Sequence, residues 1–127
     1  MRYLLLLVLL LSGCATKLSP YQIDMINDSK VPLICKDKKQ CDYYWQRAQL
    51  WIAQNAPFKI QTVSDVMIQT YGPIDTDQRL AFLITKDVRP DGSAHIGINI
   101  NCGNEYGCYP PAYIAALQLK QFVKDND

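Results

Sequence analysis

The chain has 127 residues, with 13 basic and 12 acidic side chains, so its net charge at pH 7 is +1. This length suits one domain with a modest core. The balanced charge gives no sign of the basic surface that nucleic acid or anionic lipid would require. We therefore expect no nucleic-acid partner, and we look for function in local motifs and surfaces.

The first thirteen residues, MRYLLLLVLLLSG, have the form of an export signal. A basic residue, Arg2, precedes an unbroken apolar run from Leu4 to Leu11, and small residues follow. That run is too short for a membrane span, which needs about 20 residues. We expect residues 1–13 to be removed as a signal peptide, and the loss of Arg2 leaves equal numbers of acidic and basic side chains.

The end of this segment, Leu11-Ser12-Gly13-Cys14, resembles the lipobox of bacterial lipoproteins. In that class the cysteine thiol receives a diacylglycerol, and the signal is cleaved just before it. The resemblance implies that Cys14 is lipidated and that the acylated terminus binds the membrane. Because Ala rather than Asp follows Cys14, it also implies the outer membrane, with the domain facing the periplasm or the surface. The alternative is an ordinary export signal followed by a free cysteine.

Four further cysteines form two pairs with the spacing C-x5-C, in CKDKKQC and CGNEYGC. An even number of cysteines in an exported chain is typical of disulfide bonds. Of the three connectivities that four cysteines allow, we favour Cys35 with Cys41 and Cys102 with Cys108. Zinc ligation is the alternative, but structural zinc pairs usually have shorter spacing and need free thiolates. We therefore expect no metal and no cofactor.

Residues 14–33 mix polar and apolar side chains with two prolines and show no sustained period. This composition predicts a tether that connects the anchor to a single domain over residues 34–127. The alternative is that Ile23, Met25 and Ile26 pack on that domain.

The rest of the chain predicts a helix, four strands and a second helix. An apolar stripe at helical spacing predicts the first helix over residues 42–55. Apolar alternation then predicts strands within FKIQTV, VMIQTY, RLAFLITKDV and AHIGININ. The C-terminal PPAYIAALQLKQFVK predicts a helix that begins at Pro110-Pro111. The expected fold is α+β with the order α-β-β-β-β-α, a four-stranded antiparallel meander with both helices on one face in two layers.

Known catalytic motifs are absent from the sequence. It contains no G-x-S-x-G, no H-E-x-x-H and no glycine-rich phosphate loop after a strand. The single histidine, His95, and the single glutamate, Glu105, are the unusual residues that a small hydrolase acting on wall material would use. We expect a protein that is not an enzyme and keep the hydrolase as the alternative.

Two sets of residues are candidate binding surfaces. The loop CGNEYGCYPPAY presents Tyr106, Tyr109 and Tyr113 around a predicted disulfide. Tyrosines on a constrained loop offer contact area at low entropic cost. The second candidate is the sheet face opposite the core, which is rich in amide groups and includes Gln69, His95 and Asn99.

These observations predict a lipid-anchored, non-catalytic binding or accessory module of the cell envelope. Its partner would be an envelope protein or a cell-wall component. A purely structural lipoprotein that forms homo-oligomers is a further alternative.

Overall fold

The computed structural model describes Gly13 and residues 16–126, which form an α+β fold with three helices and a five-stranded antiparallel sheet. No helix in this part of the chain has the length and the apolar character needed to cross a membrane. The strand order across the sheet is β1-β5-β4-β3-β2. The elements in chain order are α1 (Pro20–Lys30), β1 (Leu33–Cys35), α2 (Lys38–Asn55), β2 (Ile60–Val63), β3 (Met67–Thr70), β4 (Ala81–Val88), β5 (Ala94–Asn101) and α3 (Ala112–Lys124).

The sheet contains the predicted meander, because β2, β3, β4 and β5 pair antiparallel in sequence order. Apolar side chains of α2 and α3 form one hydrophobic cluster with one face of this sheet. The strand residues buried in that cluster include Ile68, Phe82, Ile84, Ala94 and Ile96. The predicted α+β class is therefore confirmed, and the alternating residues of β4 and β5 supply much of the core.

The predicted number of elements is wrong, since the structure has one further helix and one further strand. α1 has a weak amphipathic pattern, and Ser29 is its buried residue. β1 has three residues, too few to show alternation, and it pairs with β5 with Leu33 opposite Ile96. Part of the segment 14–33, for which a tether was predicted, is therefore helical and packs against α3.

The first predicted helix also begins earlier than expected. α2 starts at Lys38 rather than at residue 42, because the Asp37 side chain accepts a hydrogen bond of 2.8 Å from the Gln40 N–H. An aspartate in this position satisfies a backbone donor that the first turn leaves free. The cap therefore lies in the segment between the first two disulfide cysteines, where the sequence shows no apolar stripe.

The described residues contain two disulfide bonds, which confirms that the cysteines pair. Cys35–Cys41 joins the end of β1 to the first turn of α2. Cys102–Cys108 closes part of the loop between β5 and α3. Cys14, the predicted lipidation site, lies outside the described residues.

A buried lysine attaches α1 to α3. Lys120 is only 9% exposed. Its ammonium donates hydrogen bonds to three backbone carbonyls, those of Asp28 at 2.6 Å, Ser29 at 3.1 Å and Val31. Burial, followed by the nearby charge of Lys124, lowers the pKa of Lys120, while the opposite charge of Asp28 acts to raise it. Because a helix leaves its last carbonyls without internal partners, Lys120 caps α1 and fixes it on the domain.

Replacement of Lys120 by Met keeps the apolar stem and removes the three hydrogen bonds. We expect Lys120→Met to lower the free energy of unfolding by about 1 to 3 kcal/mol, because carbonyls lose their donor. Hydrogen exchange should accelerate in α1 more than in β4 and β5. Denaturant unfolding and exchange mass spectrometry measure the two effects. Lys124→Met, in the exposed last turn of the same helix, is the matched control, and equal α1 exchange in both variants would contradict the role of Lys120.

Candidate functional site

The loop between β5 and α3 carries two highly exposed tyrosines, and we call residues 102–109 the tyrosine loop. Tyr106 is 91% exposed and Tyr109 is 77% exposed. Tyr113, the third tyrosine predicted for this surface, lies in α3, is half-buried and lines a groove beside α1. The structure therefore keeps Tyr106 and Tyr109 on one loop and assigns Tyr113 to a different surface.

Residues 71–80 join β3 to β4, and we call them the support loop. This loop holds the tyrosine loop through backbone hydrogen bonds. The Gly103 N–H donates to the Asp77 carbonyl at 3.0 Å, and the Gly103 carbonyl accepts from the Thr76 N–H at 3.0 Å. At the other end, the Tyr109 N–H donates to the Gln78 carbonyl at 3.0 Å. The tyrosine loop is therefore fixed at both ends, in addition to being closed by its own disulfide.

The two loops approach each other so closely that residue 103 has no space for a side chain. A Cβ atom at Gly103 would lie 1.8 Å from the carbonyl oxygen of Ile74. The next residue, Asn104, adds two side-chain contacts: Nδ2 donates to the Thr76 carbonyl at 3.0 Å, and Oδ1 accepts from the Tyr106 N–H at 2.9 Å. Asn104 thereby fixes the turn that presents Tyr106, as asparagine commonly does in turns.

An ion pair orders the support loop. Nη2 and Nε of Arg79 donate to Oδ2 of Asp77 at 2.7 and 2.9 Å, and the Arg79 backbone N–H donates to Oδ1 at 2.8 Å. The side-chain bonds, followed by the backbone bond, lower the pKa of Asp77 below its ordinary value of 3.8. The Arg79 guanidinium also lies over the Phe58 ring, 4.7 Å from its centroid. Because such exposed pairs contribute little to global stability, we assign this one a local ordering role.

An apolar depression of about 300 Å³ lies beside Tyr109. Its lining comes from α2, the support loop, β4, the tyrosine loop and α3, and includes Trp51, Arg79, Phe82, Tyr109, Pro110 and Gln118. An exposed aromatic residue next to an apolar pocket is typical of the central contacts in protein interfaces. The sequence analysis missed this depression, since its residues are far apart in the chain and only the fold brings them together.

The sheet face opposite the core does not gather its three candidate residues at one point. Gln69 lies opposite Leu83, which lies opposite Asn99, so these three form one row across the sheet. His95 lies opposite Asp87 and precedes Asn99 by four positions, or about 13 Å along the strand. The face therefore brings Gln69 and Asn99 into one row with a leucine between them and leaves His95 apart.

The two residues that a hydrolase would use are also separated. His95 is the second residue of β5, and Glu105 follows the end of that strand. The strand between them covers about 20 Å. In the described part of the chain, no three residues of the types His, Cys, Asp or Glu are grouped so that they could hold a metal ion. The fold therefore forms no acid–base pair from His95 and Glu105.

Comparisons of this chain with family models, with curated proteins and with solved structures found no match. The assignment of a site therefore rests on geometry. By geometry, the tyrosine loop with its neighbouring depression combines exposure, apolar surface and fixed backbone, which are the properties of a recognition site.

Removal of the Asp77 charge should loosen the tyrosine loop without affecting the core. We expect Asp77→Asn to accelerate hydrogen exchange at the Gly103 and Tyr109 amides, which bond to the support loop. Because the folded-state pKa of Asp77 lies below its unfolded value, the carboxylate interaction is complete at neutral pH and is lost as the pH falls below 3.8. Acid should therefore loosen the loop of the native protein and have little further effect in the variant.

The matched control is Asp87→Asn, which removes an exposed carboxylate of β4 that pairs with Arg89, just after the strand, at 3.0 Å. Exchange at the Gly103 and Tyr109 amides should be unchanged in this control. Equal exchange in the Asp77 and Asp87 variants would show that the ion pair does not order the loop.

Proposed function

We propose that this chain is a lipid-anchored recognition domain of the bacterial cell envelope and that the tyrosine loop is the surface that binds its partner protein. The anchor is the Cys14 thiol, for which the resemblance of Leu11-Ser12-Gly13-Cys14 to a lipobox is the support. The proposed location is the outer membrane. Two disulfides in a chain with an export signal are consistent with an oxidising compartment outside the cytoplasm.

One observation carries the proposal: among the described residues, Tyr106 and Tyr109 are the two most exposed large apolar side chains, and both lie on a loop that a disulfide and backbone hydrogen bonds constrain. Two aromatic rings exposed on one loop keep apolar surface in contact with water, which is unfavourable in free energy. The disulfide, the backbone bonds of Gly103 and the Asn104 turn remove loop entropy before any partner binds. Binding then loses little further entropy, which is the advantage of a preorganised site.

Truncation of either tyrosine should weaken partner capture and leave the fold intact. We expect Tyr106→Ala or Tyr109→Ala to lower affinity at least tenfold, because each ring supplies contact area at the centre of the surface. Thermal stability should stay within about 0.5 kcal/mol, since both side chains are exposed. The measurement is affinity capture from detergent-solubilised envelopes, followed by identification of the partner and a binding titration with the purified partner.

Tyr21→Ala is the matched control, because Tyr21 is a 72% exposed tyrosine on α1, outside the loop. It should bind the partner like the unmodified protein. Loss of capture in Gln69→Ala or Asn99→Ala, with normal capture in the tyrosine variants, would assign the function to the open face of the sheet. Recovery of only further copies of the chain would favour the structural homo-oligomer.

The lipid anchor has its own test in Cys14→Ser. Because serine cannot receive the thioether-linked diacylglycerol, we expect this variant to lose membrane association as mature chain or to remain as uncleaved precursor, with both disulfides formed. Cell fractionation and mass spectrometry of the N-terminus distinguish these states. A mature Cys14→Ser chain that still floats with membranes would show that the lipobox assignment is wrong.

A further inference from the structure

The outer edge of β5 is unpaired over its second half. β1 pairs with residues 94–96 of β5, and Leu33 lies opposite Ile96. The chain before β1 leaves the sheet for α1, so no described strand lies along the outer edge of residues 97–101, opposite to β4. This free edge is about 17 Å long at the rise of an antiparallel strand.

The register shows which backbone groups point to this edge. The Lys86 N–H donates to the Val66 carbonyl at 2.9 Å, so the even-numbered residues of β4 direct their backbone groups to β3 and the odd-numbered ones to β5. The odd-numbered residues of β5, such as Asn99, therefore bond to β4. The N–H and C=O groups of Ile98 and Ile100 point outward, and no residue in the described ranges hydrogen-bonds them.

These free groups lie along an apolar groove of about 420 Å³, which we call the edge groove. α1 forms one wall of it, because α1 packs on α3 rather than on a strand. Lys30 is the charged residue of the lining. The apolar side chains of the lining are Ile26, Ile98, Ile100, Ala112, Tyr113 and Ala116.

We propose that the edge groove binds an extended segment of a partner protein, which pairs with Ile98 and Ile100 as a sixth strand. Outward N–H and C=O groups at alternate residues of a strand can hydrogen-bond to the backbone of any extended chain, whatever its sequence. Apolar side chains at alternate positions of the guest enter the lining, and an acidic side chain lies beside Lys30. This site is separate from the tyrosine loop and does not depend on the function proposed for that loop.

A single extended peptide fits beside this edge better than a second copy of the chain does. Antiparallel pairing of two β5 edges would bring the α1 helices of both copies to one seam, where each helix already forms a wall of its own groove. In such a pair, the chain of the second copy would continue past its own Asn101 along the edge of the first copy. β1 of the first copy already occupies that edge beside residues 94–96, so the two would collide. The guest is therefore a single extended segment.

Hydrogen exchange in the purified, oxidised protein tests the proposal with a defined probe. The probe is a blocked heptapeptide of alternating valine and threonine with glutamate at one end, prepared with the glutamate at either end. Without peptide, the Ile98 and Ile100 amides should exchange at least tenfold faster than the Gly97 and Asn99 amides, which bond to β4. With peptide, exchange at Ile98 and Ile100 should slow at least tenfold.

Two variants assign the binding to the groove. Ile26→Glu should weaken peptide binding at least tenfold, whereas Ile23→Glu, on an exposed position of the same helix outside the lining, should not. Lys30→Glu should reverse the charge preference, so that a peptide with lysine in place of glutamate binds better. This second variant changes an exposed residue and remains informative if Ile26→Glu unfolds the domain.

The proposal fails if millimolar peptide of either orientation leaves the Ile98 and Ile100 amides unprotected. It also fails if Lys30→Glu has no effect on the charge preference. Protection of these amides that rises with protein concentration in the absence of peptide, together with a dimer in solution, would assign the edge to a second copy and overturn the choice of guest.

Discussion

The ammonium of Lys120 is the contact on which the outer part of this structure depends. α1 buries little apolar surface, and the three carbonyls that Lys120 binds lie at its C-terminal end. α3 is held in a similar way, because Arg47 of α2 donates to the Phe122 carbonyl at 3.2 Å and lies over the Phe122 ring. α1 is thus attached to α3, and α3 to α2, by a cation that bonds to carbonyls near the end of the helix. Without the Lys120 link, the end of α1 would lose its attachment to α3 and the edge groove would lose a wall.

Both candidate surfaces arise from β5, but they differ physically. The tyrosine loop follows the end of β5, and the backbone groups of Gly103 and the Tyr109 N–H bond to the support loop, so what it offers a partner is side-chain area on a fixed frame. The edge groove lies along the side of β5 and offers unsatisfied backbone groups beside apolar side chains. A loop of the first kind selects a partner by shape, whereas an edge of the second kind accepts any extended segment whose alternate side chains fit. The two surfaces would therefore recognise different features of a partner protein.

The sequence predicts those features of this fold that local patterns encode. The alternation that buries Ala94 and Ile96 identified β5, and the C-x5-C spacing identified two local disulfides. α1 and β1 were missed because they are ordered by distant residues, Lys120 and the edge of β5, and not by an apolar period of their own. The sequence did not show that Tyr113 lies apart from Tyr106 and Tyr109, since it is in α3 and lines the groove beside α1. The depression beside Tyr109 and the free groups of Ile98 depend on register and packing, which no local pattern specifies.

The position of α1 also constrains how an anchored domain would face the membrane. Ile26 lies with Tyr113 and Ala116 around the edge groove, and Lys120 reaches the end of α1, so α1 and α3 run parallel. The start of α1 is therefore at the end of the domain where the tyrosine loop leads into α3. Only six positions separate Cys14 from Pro20, a reach of about 20 Å at most. If Cys14 carries the proposed lipid, the start of α1 lies within about 20 Å of that lipid.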